Sequence, residues 1–172
     1  MSQAAAKEAP TADKKDSAQL AGAWELTECD NGGRTIGYRP QAKVTPGYAV
    51  LMFAYAAKSP EKGSGGMRWH LAQDRLTVEW VVEEDKKESR HKLGDFTCRL
   101  GAKGEPATID LTWQPPGLEG LVREEKGQVV RGIYKRVGDK LEVVLSHTGK
   151  DRPREFKADR TSCRLVFQKV KN

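Results

Sequence analysis

Apolar and polar positions alternate along most of this chain with a period of two, which sends one face of a β-strand inward and the other to water. Trp24 and Leu26 share one phase of the run 22–30, and Glu25 and Thr27 hold the other. The same alternation sets Met67, Trp69 and Leu71 against Arg68 and His70. It puts Leu76, Val78, Trp80 and Val82 on one face of "RLTVEWVVEE". "DFTCRL" (95–100) and "ATIDLTW" (107–113) follow, the second with Ile109, Leu111 and Trp113 in phase. "QVVRGIYKRV" and "KLEVVLSH" meet across Gly138 and Asp139, a two-residue linker suited to a tight hairpin, and "CRLVFQKV" comes last. One segment departs from the rule. "YAVLMFAYAA" (48–57) is apolar on both faces, as a strand covered on both sides or a short buried helix would be.

Turn residues separate these runs, as in "GGRTIGYRPQAKVTPG", "KSPEKGSGG" and "QPPGLEG", where proline cannot donate to a sheet ladder. "EEDKKESRHK" (83–92) balances four acids with four bases and reads as a hairpin tip in water. No segment of about twelve residues, the usual helix length, sustains a helical period. The pattern predicts an all-β domain of eight or nine short strands, an antiparallel barrel or sandwich. Closing it as an up-and-down barrel of about eight strands removes aggregation-prone edges and pairs the first strand with the last. Trp24, the first inward side chain, then becomes a floor at one end, and Gly22 leaves room for the chain to cross beneath it. Residues 1–18, "MSQAAAKEAPTADKKDSA", read as a flexible leader, and residues 19–172 as one barrel domain.

Charge changes this picture only at one end. Residues 121–172 carry 14 Lys and Arg against 7 Asp and Glu, whereas residues 1–120 carry 16 against 17. A basic last third can attract nucleic acid or an anionic surface, or it can be the solvated outer face of ordinary strands. The leader lacks the apolar middle of a secretory signal, which predicts a cytoplasmic protein by default, although an exported mature form would carry the same sequence. No run approaches the ~18 apolar residues that a membrane-spanning helix needs. Cys29, Cys98 and Cys163 are scattered and odd in number, which argues against a disulfide framework or a structural zinc site. Cys98 and Cys163 share phase with apolar neighbours and read as small buried hydrophobes.

Several short motifs occur in a fixed order: Leu20, Gly22 and Trp24 in the first strand, then Ile109, Asp110 and Leu111. Gly132, Ile133 and Tyr134 follow, with Gly138, Asp139 and Leu141, and then Gly149, Lys150, Arg152, Pro153 and Phe156. In that order they resemble the lipocalin-like domain of unknown function abundant in planctomycete bacteria, over residues 18 to 170. The resemblance implies a small β-barrel without an assigned activity, found alone and often exported, or joined to other modules. The "YAVLMFAYAA" strand and the missing signal segment depart from that pattern.

Catalytic constellations are hard to assemble from these residues. Ser146 and His147 are neighbours on a strand and point to opposite faces, so they cannot pair as nucleophile and base. Asp110, Glu79 and Glu142 fall on outward phases. His70 and His91 lack metal-ligand spacing, and "GSGG" is a turn between strands, with no helix to cradle a phosphate. A hydrolase is therefore disfavoured, and no cofactor or metal is expected. A nucleic-acid binder would need exposed aromatics interleaved with its basic residues, which are missing. The expected function is a non-catalytic binding module for a small, partly apolar ligand or a protein partner. Its pocket candidates are Met52, Trp69, Trp80, Trp113, Tyr134, Val143, Leu145 and His147. Arg152, with Arg164 as substitute, is expected to stack on Trp24 and seal the floor.

Overall fold

The computed structural model describes residues 14–33, 65–101, 104–114, 129–146 and 151–171. A short helix α1 (Lys14–Leu20) is followed by β1 (Gly22–Asp30), β2 (Gly65–Ala72), β3 (Arg75–Glu84) and β4 (Lys87–Gly101). The chain continues through β5 (Ala107–Gln114), β6 (Val129–Val137), β7 (Lys140–Ser146) and β8 (Ser162–Lys169). All eight strands form one closed antiparallel barrel in sequence order, and β8 returns to β1. Leu26 lies opposite Phe167 and Trp24 opposite Lys169 across that closing seam. The apolar stretch 48–57, with Met52, lies outside the described residues, and so does His147.

Alternation governs each strand because only one face has a core to enter. Trp24, Met67, Trp69, Leu76, Leu111, Val143, Leu145, Leu165 and Phe167 are wholly buried and join a single interior cluster. Two bulges shift the register, between Leu26 and Glu28 on the β1–β8 seam and between Val78 and Glu79 on the β3–β4 pair. Gly132 shows how tight the inner wall is. A Cβ there would come within 2.6 Å of both Leu145 Cδ2 and the Val144 carbonyl, so no side chain fits.

The charged run 83–92 forms a longer hairpin than a mere tip. Its turn is only Asp85 and Lys86, both with positive φ (51° and 63°), and strand pairing resumes at Lys87 opposite Glu84. A primed turn of this kind matches the right-handed twist of the strands it joins.

A second, smaller buried layer lies outside the barrel. Ile133, Val144 and Val166 sit on outward phases of β6, β7 and β8, yet they are almost completely buried. The segment 151–161 returns to this wall, with Ala158 buried and Arg152 hydrogen-bonded to the Gly132 carbonyl at 2.7 Å. No helix among the described residues is long and apolar enough to cross a membrane.

Candidate functional site: the barrel lumen and its floor

Gly22 admits the chain at the foot of the barrel with φ +122°, a backbone angle that disfavours any side chain. Two residues on, the Trp24 indole is fully buried, and its Nε1–H donates to the Leu20 carbonyl at 2.8 Å. The helix α1 therefore ends against the floor tryptophan, with Leu20 itself buried. Residues 14–18, assigned to the leader from sequence, belong to this helix, and residues 1–13 lie outside the described residues.

The cations on the floor are not those expected. Arg136 lies 5.9 Å and the Lys169 amine 5.4 Å from the Trp24 ring, both within cation–π range. Both residues occupy inward phases at the lower ends of their strands, so their side chains curl beneath the indole. Arg136 also donates to the Gln19 carbonyl at 2.7 Å, tying α1 to β6. Arg152 instead holds Asp110 at 2.7 Å, on the outer wall, where the segment 151–161 places it. Arg164 also points outward, bonded to Glu142 and facing Glu28 at 3.4 Å. A sequence signal for Arg136 existed, since it shares phase with Tyr134 in "GIYKRV".

Of the predicted pocket residues, Trp69, Trp113, Tyr134, Val143 and Leu145 pack within the one interior cluster above this floor. Trp69, Val143 and Leu145 are wholly buried, and Trp113 and Tyr134 are nearly so. Trp69 lies opposite Trp24 on β1 and packs on Phe167 with ring centroids 4.5 Å apart. Trp80 stands opposite Met67, on the same phase, but is only partly buried near the upper rim.

The four indoles differ in what their N–H groups find. Trp24 has a helix carbonyl, and the Trp80 side chain is only half-buried. Trp69 Nε1 and Trp113 Nε1 are buried and have no hydrogen-bond partner among the described residues. Each such orphan costs about 1–3 kcal/mol, a large sum for a fold whose whole stability is about 5–15 kcal/mol.

Cys98 and Cys163 face the same interior. Burial pushes both thiols up to about 12, so neither is a thiolate nucleophile at neutral pH. No disulfide involves any of the three cysteines.

The outer wall carries the charges. His70 pairs with Glu79 at 2.9 Å, and Arg68 with Glu88 at 3.0 Å. Glu142 would be raised by burial, but hydrogen bonds from Lys135 and Arg164 outweigh this and hold it below the usual carboxylate value. Asp95 follows the same logic: bonds from Lys92 and Thr77 overcome its desolvation. Ser146, also on this wall, is buried opposite Ser162. Among the described residues, no cluster of His, Cys, Asp and Glu is placed to hold a metal. A groove of about 990 Å³ runs under the 151–161 segment, past Thr108, Ile133, Arg152 and Arg154, and is separate from the lumen.

No family model and no curated protein matches this chain. Among solved structures it is similar to a protein described as the REP1-NXSQ fatty acid transporter. That similarity has 10% identity and a TM-score of 0.38, covering 90% of this chain and 98% of the other. It is also similar to apo lipid binding protein 8 (LBP-8) of Caenorhabditis elegans, with 10% identity and a TM-score of 0.38, covering 94% and 100%. The barrel architecture stands on its own strand ladder, continuous from β1 round to β8.

Proposed function

We propose that this chain is a non-catalytic binding barrel that takes a small, predominantly apolar molecule among its inward-facing aromatic side chains. The observation that carries the reading is the inner wall itself: Trp69, Trp113 and Tyr134 line it below a partly open Trp80. Aromatic and aliphatic lining with a few polar atoms is what small-molecule sites in barrel mouths use. Kinship with the lipocalin-like planctomycete domain is part of the same proposal and adds no activity to it.

The competing reading, an anionic surface bound by the basic last third, gives up five of its 14 cations to internal partners. Lys135, Lys140, Arg152 and Arg164 face carboxylates, and Arg136 is spent on carbonyls and the Trp24 ring. A protein partner gains no comparable support from these walls.

Native mass spectrometry of the protein isolated from its own host tests the proposal, together with titration by a neutral fluorescent dye such as Nile red. A discrete extra mass lost on denaturation, or saturable dye binding that quenches tryptophan emission, is expected. Protein of bare polypeptide mass that also leaves the dye unbound would overturn the lumen as a binding site.

A further inference from the structure

We infer that the foot of the barrel carries a second binding site, for a small organic anion: a carboxylate on an apolar or aromatic body. A cavity of about 570 Å³ opens there between the end of α1, the approach to β5, the end of β6 and residues 154–156. Its size falls within the range of small-molecule sites, about 300–1,000 Å³. Leu20, Pro106, Tyr134 and Phe156 give it an apolar wall, and Arg136 and Arg154 bring two guanidinium groups to it. The site is independent of whether the barrel interior takes a ligand.

Charge at this foot is not balanced from within. Lys135, which also lines the cavity, is neutralised by Glu142 at 2.9 Å, and its Nζ lies 4.2 Å from the centre of the Phe156 ring. Arg136 is held by neutral groups: the carbonyls of Gln19 and Gly138, at 2.7 and 2.8 Å, and the Trp24 ring. These contacts fix a half-buried guanidinium in place and leave its charge uncompensated. Arg154 is exposed where the cavity meets the groove beneath 151–161, and has neither an ion pair nor a hydrogen bond among the described residues. The last carbonyls of α1 would repel an anion if free, but Arg136 and the Trp24 N–H already engage those of Gln19 and Leu20. Glu105 is the one carboxylate lining the cavity among the described residues, and it is exposed, so water and salt screen it. An amine placed here would meet two cations and one screened acid. A carboxylate would find guanidinium donors, whose planar fork matches its two oxygens, beside an apolar wall for its body.

Titration of the isotope-labelled full chain with phenylbutyrate and with its neutral counterpart phenylbutanol, followed by amide NMR shifts at pH 8, tests this. The acid is expected to bind with a Kd of about 0.1–1 mM, and the alcohol about 3- to 10-fold more weakly, the range of one charge-assisted bond at a partly exposed site. The shifts should centre on the amides of Leu20, Ala107, Arg136 and Phe156. Arg154→Gln and Glu105→Gln each change an exposed side chain that has no partner among the described residues, so neither disturbs the fold. The first should narrow the advantage of acid over alcohol by about 2- to 5-fold, and the second should widen it by about 2-fold. An alcohol that binds as tightly as the acid would overturn the assignment, as would an advantage that Arg154→Gln leaves unmoved or that Glu105→Gln fails to widen. Shifts scattered over the basic residues, or gathered at Trp69 and Val143 in the interior, would place the anion elsewhere and also overturn it. So would the absence of any shift at about 10 mM acid.

Discussion

Trp24 concentrates three interactions in one side chain: a fully buried ring, an N–H on the Leu20 carbonyl and two cations against its face. Trp24→Ala should lower unfolding stability by about 3–5 kcal/mol, the usual loss for a large buried aromatic. Trp24→Phe keeps most of the ring and should lose about 1 kcal/mol for the hydrogen bond, plus whatever ring area is missing. Denaturant titration of both variants checks this; an alanine variant as stable as wild type would mean the indole is not the floor. The alternating pattern made Trp24 legible, because a bulky residue in the first inward position of a closing strand has few other places to go. It did not reveal Arg136 and Lys169 as its companions. Alternation tells which face a residue takes, but not how far along the barrel axis it sits, and these two act only because they lie at the bottom rim. The orphaned N–H groups of Trp69 and Trp113 were equally hidden, since lacking a partner is a property of three-dimensional surroundings.

Whole elements escaped the pattern when tertiary contacts, rather than local spacing, define them. The seven-residue α1 is too short to show a helical period and is marginal alone. It is held by Leu20 packing, the Trp24 N–H and the Arg136 bond to Gln19. Strand β7 is buried at every position from Leu141 to Ser146, because the barrel covers one face and 151–161 contributes to the cover on the other. That enclosure gives Glu142 its role. Its folded carboxyl titrates below the ordinary value of 4.5, since Lys135 and Arg164 overcome the cost of burial. A lowered folded value means that the ionised form is favoured by folding. The stabilisation is complete above the unfolded value near 4.5 and disappears as pH falls through the folded one. Glu142→Gln should therefore lose about 1–3 kcal/mol at neutral pH and show a flatter decline below it. Some acid sensitivity should persist, because Asp95 is also lowered, from 3.8. Thermal melts of both proteins from pH 7 to pH 3 read the difference; parallel curves would remove Glu142 from the acid limb.

At the scale of the whole molecule, the count of strands and their closure were readable because a chain of short alternating segments with tight turns has few ways to hide its edges. The register was not, since the bulges at Leu26/Glu28 and Val78/Glu79 leave no mark in composition. Closure is the feature on which the interior cluster and its floor depend, and the β1–β8 seam offers a direct way to examine it. Glu25 and Gln168 are opposed across that seam, exposed on the outer wall, and 143 positions apart in sequence (168 minus 25). Directly opposed residues in an antiparallel pair have Cα atoms about 4.5–5.5 Å apart, within the span a disulfide accepts. The double variant Glu25→Cys with Gln168→Cys should oxidise within one chain and stabilise the fold by about 2–4 kcal/mol, because the bond closes a long loop in the unfolded chain. A control pairing Glu25→Cys with Arg99→Cys places the second thiol on β4, across the barrel, and should give no intrachain link. Peptide mapping without reductant identifies the bond, and melts with and without reductant measure its effect. A 25–168 link absent under oxidising conditions, or present no more often than 25–99, would separate β1 from β8, and an open sheet would leave Trp24 and Phe167 without the enclosed interior they fill.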